Sequence, residues 1–238
     1  MNWPATCAVI IPCCNEEAAI AGLVREARCH LPTVIVADDG SADQTAGRAA
    51  SAGAQVVRRE RNPGKGAALQ AGVAAALAQQ FAWALTLDGD GQHRPEDIPA
   101  FLRCAEETGA SLIVGNRMHQ AESIPWLRRS VNRWLSRRIS ACAGRTLPDS
   151  QCGYRLINLK AWAALVLEAD HFEIESEMLL GFVRAGCGVE FVPIQVIGKS
   201  RHSHIRPLQD TWRWLRWWRR ARRARTHKPE ADGRPERR

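Results

Sequence analysis

The sequence predicts an α/β fold in which a mainly parallel sheet is flanked by helices, in a single domain that carries a basic amphipathic C-terminal helix. Three observations carry this. Short apolar runs alternate with Ala-rich stretches of helical length up to Val114. Motifs rich in Asp and Gly fall where the apolar runs stop, the edge at which open α/β sheets bind ligands. The excess positive charge is confined to one end. Residues 212–238 hold 11 of the chain's 33 Lys and Arg but only 3 of its 25 Asp and Glu, so the whole net charge of +8 sits there. A basic balance owned by a tail does not describe a surface that coats nucleic acid.

The elements follow in order. Ala8–Ile11, stopped by Pro12, reads as a strand buried on both faces. Asn15 is placed as the N-cap of an Ala-rich helix running to about Cys29. Thr33–Ala37 is the second strand and ends in Asp38-Asp39-Gly40-Ser41, after which Asp43 opens a helix. Gln55–Arg58 is the third strand; Asn62-Pro63-Gly64-Lys65-Gly66 then leads into a helix over 67–80. Ala82–Leu87 is the fourth, ending in Asp88-Gly89-Asp90-Gly91. Pro95 opens a helix to about Thr108, and Ser111–Val114 is the fifth strand. Beyond it the pattern loosens. Helices are expected over 123–143 and 173–186, a loop over 149–157, and a strand over Val189–Val196 interrupted by Pro193. Residues 1–211 then form the main domain, 212–225 a Trp/Arg helix, and 226–238 a disordered tail.

Composition narrows the class. Apolar residues make up 45% of the chain, too many for disorder outside the tail. The eight Cys show neither C-x-x-C pairs nor zinc spacing and read as reduced thiols of a cytoplasmic protein. The first residues, MNWPATCAVIIP, lack the basic start and apolar run of a secretory signal, and no stretch approaches the ~20 apolar residues of a spanning helix.

The chemistry lies in the strand-end motifs. Asp88 and Asp90, two residues apart and freed by glycines, can share a hard divalent cation, Mg²⁺ or Mn²⁺, which in turn grips substrate phosphates. The same residues suit an ordinary Asp/Gly turn. Asp38 and Asp39 can accept hydrogen bonds from ribose hydroxyls or a base N–H, or serve as a helix cap. Asn62–Gly66 suits either a phosphate cradle or a surface turn, and lacks the P-loop spacing.

Taken together and in order, I-I-P-C-C-N-E-E, A-D-D-G-S, N-P-G-K-G and L-D-G-D-G-Q-H resemble the family 2 glycosyltransferases of GT-A, Rossmann-like fold. The branch they most resemble is the polyprenyl-phosphate one, similar to dolichol-phosphate-mannose synthases, over residues 7 to about 213. The resemblance implies that Pro12 and Glu16 line the nucleotide, Asp38 and Asp39 hold base and ribose, and Lys65 lies beside them. It implies that Asp88 and Asp90 handle the metal, with Gln92 next to metal or diphosphate. The chain departs from the branch at Cys13-Cys14, where an aromatic or small polar pair is usual.

The second half fits a lipid-phosphate acceptor. Asn116-Arg117 follows the fifth strand, where similar proteins carry an Arg facing the acceptor phosphate. Arg129, Arg133 and Arg137 recur every fourth residue on one helix face, beside an apolar stripe of Leu127, Val131, Trp134 and Leu135. That helix suits either a solvated basic face or a membrane surface, with Arg117, Arg129 and Arg133 gripping a lipid phosphate. Pro148–Arg155 resembles the family's D-x-x-x-G-[FY]-R segment. Asp149 is a general base if the acceptor is a hydroxyl; a phosphate acceptor is already ionised and leaves it to shape the loop. Glu173, Glu175 and Glu177 suit a helix start, and Glu177 matches a family position near the sugar. Lys199–Pro207 resembles K-S-H-x-R-P, with Arg201, Ser203 and His204 closing over diphosphate or acceptor. In the tail, Trp214, Trp217, Trp218 and Ala221 share one face and Arg213, Arg216, Arg219, Arg220 and Arg223 the other. An anionic membrane surface suits this face, with nucleic acid the competing partner.

The reading is an inverting, metal-dependent transferase moving a sugar from a nucleoside diphosphate sugar to a polyprenyl phosphate or glycolipid, held on the inner face of the membrane. Its rivals are transfer to a hydroxyl and a non-catalytic membrane adaptor of the same fold.

Overall fold

The computed structural model describes residues 1–60, 64–118, 126–195 and 207–223. The chain divides into two compact units, 1–204 and 205–238. The first unit opens with a helical turn, α1 (Trp3–Thr6), and the strand β1 (Cys7–Cys13). Then come α2 (Ile20–Arg28), β2 (Val34–Asp38), α3 (Thr45–Ser51), β3 (Gln55–Arg58), α4 (Lys65–Ala78) and β4 (Trp83–Thr86). A 3₁₀ turn at Pro95–Asp97 leads into α5 (Ile98–Thr108), then β5 (Leu112–Asn116), α6 (Trp126–Ala143) and β6 (Arg155–Asn158). The unit ends with α7 (Leu159–Ala163), α8 (Ile174–Arg184) and β7 (Val189–Pro193). The second unit holds α9 (Pro207–Arg223), which begins five residues before the expected Trp212.

The seven strands form one sheet in the order β3-β2-β1-β4-β6-β5-β7. All neighbours are parallel except β6, which runs antiparallel to both β4 and β5. Every residue of β1 and β2 is buried, which is why both read as unbroken apolar runs: helices cover both faces. Chain order turns back between β1 and β4, so the crevice at the C-terminal ends of those two strands is the natural ligand site.

Three elements differ from expectation. The helix expected to open at Asn15, α2, starts at Ile20. Asn15 is instead a left-handed residue (φ 56°) whose Oδ1 accepts from the Ala42 N–H at 2.8 Å, stapling the loop after β1 to the loop after β2. The segment expected as a loop contains β6, a strand at the middle of the sheet. Pro193 ends β7 rather than interrupting it.

β6 carries Arg155 into the core with no exposure. Its guanidinium donates to the carbonyls of Cys152 (2.8 Å), Glu175 (2.7 Å) and Ser150 (3.0 Å). A buried charge is tolerable when its donors are spent in this way. Arg155 thereby fastens the 149–153 loop to the start of α8.

Candidate active site

The loops after β1, β2 and β4 meet at the crevice. After β2, Asp38 Oδ1 accepts from the Ser41 backbone N–H (3.0 Å) and from the Ser41 hydroxyl, while Oδ2 lies 3.5 Å from Arg58 Nε. Asp39 Oδ2 accepts from the Gly64 N–H at 3.0 Å. Asp38 Oδ2 and Asp39 Oδ1 are buried without a hydrogen-bond donor. Native interiors rarely leave an acceptor so, and a ligand that brings hydroxyl or N–H donors would satisfy both. Burial raises the Asp39 carboxyl above its usual range, against the pull of Gly64 and Arg59.

Across the crevice, the Glu16 N–H is fixed by Thr45 Oγ1 at 2.8 Å. Its carboxyl is pushed up to about 7 by burial and by the charges of Asp90, Asp43 and Asp88. Pro12 is buried in β1, in register with Ala37.

After β4, Asp88 makes two ion contacts, with Lys65 Nζ 2.5 Å from Oδ1 and His93 Nε2 3.4 Å from Oδ2, yet Oδ1, like Asp38 Oδ2 and Asp39 Oδ1, is buried without a well-aligned hydrogen bond. Lys65 also bonds to Glu175 Oε1, and its ammonium lies 5.6 Å from the centroid of the Phe172 ring. Burial opposes charge on Asp88, but Lys65 and His93 hold it well below the ordinary carboxylate range. Burial likewise opposes the Lys65 charge, and Asp88 and Glu175 more than offset this. Asp90 is raised, by burial and by Asp88 beside it; its Oδ1 accepts from the Gln92 N–H at 3.0 Å. Two adjacent carboxylates of which one resists ionising are a donor set that suits a hard divalent cation. Among the described residues, no three His, Cys, Asp or Glu side chains form a metal cage.

Two glycines allow this close assembly. Gly64 (φ 123°) sits where a Cβ would fall 2.0 Å from His171 Nδ1, so only glycine admits the loop that delivers Lys65. A Cβ on Gly153 would fall 2.4 Å from Asp88 Oδ1 and 2.8 Å from Lys65 Nζ.

The second-half residues are arranged differently from the simplest expectation. Arg117 and Asp149 are buried and paired: the Arg117 N–H, Nε and Nη2 donate to the carboxylate at 3.2, 2.8 and 2.9 Å. Burial would raise Asp149, but the guanidinium brings it below the usual range. A carboxylate with both oxygens engaged by a guanidinium is poorly suited to take a proton, so the geometry favours the loop-shaping role over the base. It also commits Arg117 to Asp149, whereas Arg133 of α6 is exposed and Arg129 half-exposed. On α6 the buried face is Asn132, Leu135, Ser136 and Ile139; Val131 (42% exposed) and Trp134 (40%) of the expected apolar stripe look outward, with Trp126 (72%). Arg138 stacks over Trp134 at 5.1 Å. Glu177 Oε2 accepts from the N–H groups of Glu168 (3.0 Å) and Ala169 (2.9 Å), and so holds the segment that abuts the Lys65 loop. Arg201, Ser203, His204, Asn62 and Pro63 lie outside the described residues.

Sequence reasoning passed over His93, Glu175 and Arg155 as site residues. His93 closes D-G-D-G-Q-H, and that place was its signal. Glu175 was one of three acids at a helix start, with nothing in their spacing to say which faces inward.

In α9, described by itself, Trp214 and Trp218 stack at 5.2 Å and 14°, with Trp217 at 5.9 and 6.3 Å from them. Arg216 lies over Trp212 at 5.4 Å. No described helix is long and apolar enough to cross a membrane.

Comparison with known proteins agrees with this construction. The sequence model of the family described as "Glycosyl transferase family 2" matches residues 8–165. Glycosyltransferase AglJ of Haloferax volcanii is 29% identical over 215 residues, covering 88% of this chain and 70% of that protein. A UDP-N-acetylglucosamine–dolichyl-phosphate N-acetylglucosaminyltransferase of Methanococcus voltae is 27% identical over 212 residues, covering 79% and 84%. Glucosyl-3-phosphoglycerate synthase of Mycobacterium tuberculosis, solved with Mg²⁺ and uridine diphosphate, is similar in structure. Its TM-score is 0.69 at 25% identity, over 95% of this chain and 81% of that one.

Proposed function

The chain belongs to glycosyl transferase family 2, and from that premise we propose that it moves a sugar from a nucleoside diphosphate sugar to a polyprenyl phosphate or related lipid-linked acceptor. The observation that supports the donor half is the pair of buried carboxylate oxygens, Asp38 Oδ2 and Asp39 Oδ1, left without a hydrogen-bond donor at the C-terminal edge of the sheet. The acceptor half is supported by a relative named for transfer to dolichyl phosphate and by the outward Arg and Trp face of α6.

Asp39 Oδ1 and Asp38 Oδ2 receive ribose hydroxyls or a base N–H, while Pro12 and Glu16 border the nucleotide. Asp88 and Asp90, with Gln92 beside them, would hold Mg²⁺ or Mn²⁺, which supplies neutralising charge for the diphosphate leaving group. The acceptor phosphate oxygen attacks the anomeric carbon from the face opposite the diphosphate. One carbon–oxygen bond forms as the other breaks, with inversion. The phosphate is already ionised, so no general base is required, which agrees with an Asp149 committed to Arg117. Arg129 and Arg133 of α6 offer charge-assisted contacts to the lipid phosphate, and the side-chain chemistry of Arg201, Ser203 and His204 suits the diphosphate or the acceptor. The Trp/Arg helix α9 adds the anchor that keeps the enzyme on the inner membrane face.

Nucleotide release from a panel of UDP- and GDP-sugars, with and without undecaprenyl phosphate, tests this. Release is expected for one donor, to depend on the lipid phosphate and to vanish with EDTA. Asp90→Ala is expected to abolish it while leaving the melting temperature near wild type, since Asp90 is only partly buried in its loop. Wild-type turnover by that variant would refute the metal assignment.

A further inference from the structure

Resting on the donor reading above, we propose that Lys65 is a built-in counter-ion that competes with the divalent metal for Asp88, and that Glu175 is the positioning residue that shares its ammonium with Asp88 and tethers it when it leaves. Lys65 Nζ reaches Asp88 Oδ1 at 2.5 Å and Glu175 on its other side, and the three side chains are only 17%, 23% and 6% exposed. Phe172 borders the ammonium, and Gly153 closes the remaining side so tightly that a Cβ there would lie 2.8 Å from Nζ. The ammonium is therefore largely enclosed, with 17% of its side chain exposed, and exchange of Asp88 for full hydration is restricted.

A divalent cation and an ammonium on one carboxylate oxygen repel strongly in a poorly solvated site. Metal binding to Asp88 thus requires Lys65 to leave that oxygen, and a buried ammonium leaves only for another anion. The phosphates of the nucleotide are that anion. Glu175 stays bonded to Lys65 throughout, so the displacement is a short swing. Metal and nucleotide consequently bind as a coupled pair, each raising the affinity of the other by the same factor. The protein is thereby kept from loading metal without donor.

Titration of the full-length protein with Mn²⁺, followed by the electron paramagnetic resonance of the free ion, reads this directly. It is done without nucleotide and with saturating UDP or GDP. Wild type is expected to bind Mn²⁺ weakly alone and more tightly with one nucleotide. Lys65→Met is expected to bind Mn²⁺ alone at least about tenfold more tightly than wild type, the effect of one charge-assisted contact. Its further gain from nucleotide should shrink, and its nucleotide affinity should fall. Glu175→Gln concentrates Lys65 on Asp88 and should shift the nucleotide-free affinity the other way. No gain in the Lys65 variant, or an equal gain with and without nucleotide as a through-space charge would give, overturns the proposal. If that variant does not fold by circular dichroism, unchanged Mn²⁺ binding in Glu175→Gln overturns it instead. Wild type that binds no Mn²⁺ with either nucleotide overturns the donor reading itself, and so is told apart.

Discussion

Asp149 receives three N–H groups from Arg117 and is fully buried, so its ionised form belongs to the folded state. Its folded pKa lies below the unfolded one. The stabilisation is therefore complete above about pH 4 and is lost as the pH falls toward the folded value. Removing one partner of such a pair costs about 3–5 kcal/mol. Asp149→Asn is expected to be less stable by about that amount at pH 7, with the gap narrowing toward pH 3 as the unfolded wild-type chain, but not yet the folded one, takes up the proton. Urea unfolding of both proteins at the two pH values checks this, and a gap independent of pH would show that the pair is not ionised. At this scale the sequence announces residues that end strands: Asp38, Asp39, Asp88 and Asp90 are marked by their place after apolar runs. It does not announce pairing across distance. Nothing local joins Arg117 to Asp149, 32 positions away. Glu175 and Glu177 are two positions apart on a helix, roughly 200° around its axis, and only packing decides that Glu175 meets Lys65 while Glu177 clamps a loop.

Among the elements, the parallel half of the sheet was legible because strands buried on both faces write themselves as apolar runs. β6 was not. It has four residues and begins with a charged one, whose burial between β4 and β5 is made tolerable by three carbonyls in the core. α6 shows a different limit. Spacing alone left its Leu127, Val131, Trp134 and Leu135 stripe open between a core and a membrane surface, and packing divides it: Leu135 is buried with Asn132, Ser136 and Ile139, while Val131 and Trp134 are exposed. The segment that leads into β6 carries its own prediction. Gly153→Ala places a methyl in contact with Asp88 and Lys65, and overpacking of this kind costs about 1–3 kcal/mol. The variant is expected to melt lower and to lose nucleotide-dependent Mn²⁺ binding by calorimetry. Normal binding would mean that the loop yields and that its closeness to Asp88 is not required.

At the level of the whole molecule, charge and chemistry are separated. The donor motifs all precede residue 94, whereas residues 212–238 carry the entire net charge of +8 and four of the nine Trp. Deleting them should leave a folded, neutral unit that still binds donor but no longer sediments with anionic vesicles. Basic residues contribute about 1 kcal/mol each near such a surface. Trp214 and Trp218 are already buried, so the unscreened part of the binding falls to the exposed Trp212, and salt should weaken binding of the full-length protein strongly but not completely. Equal vesicle binding by both forms would transfer the anchor to α6, and binding of the full-length protein to nucleic acid but not to vesicles would favour the competing partner.

The central claim is the joining of a sugar to a lipid phosphate by a single displacement. Nuclear magnetic resonance of the purified product, made from an α-linked nucleotide sugar and undecaprenyl phosphate, tests it most directly. One β-linked sugar is expected, coupled through its anomeric carbon to the phosphorus of the lipid. An α-linked product, a sugar attached to a hydroxyl, or free sugar with the lipid unchanged would contradict it.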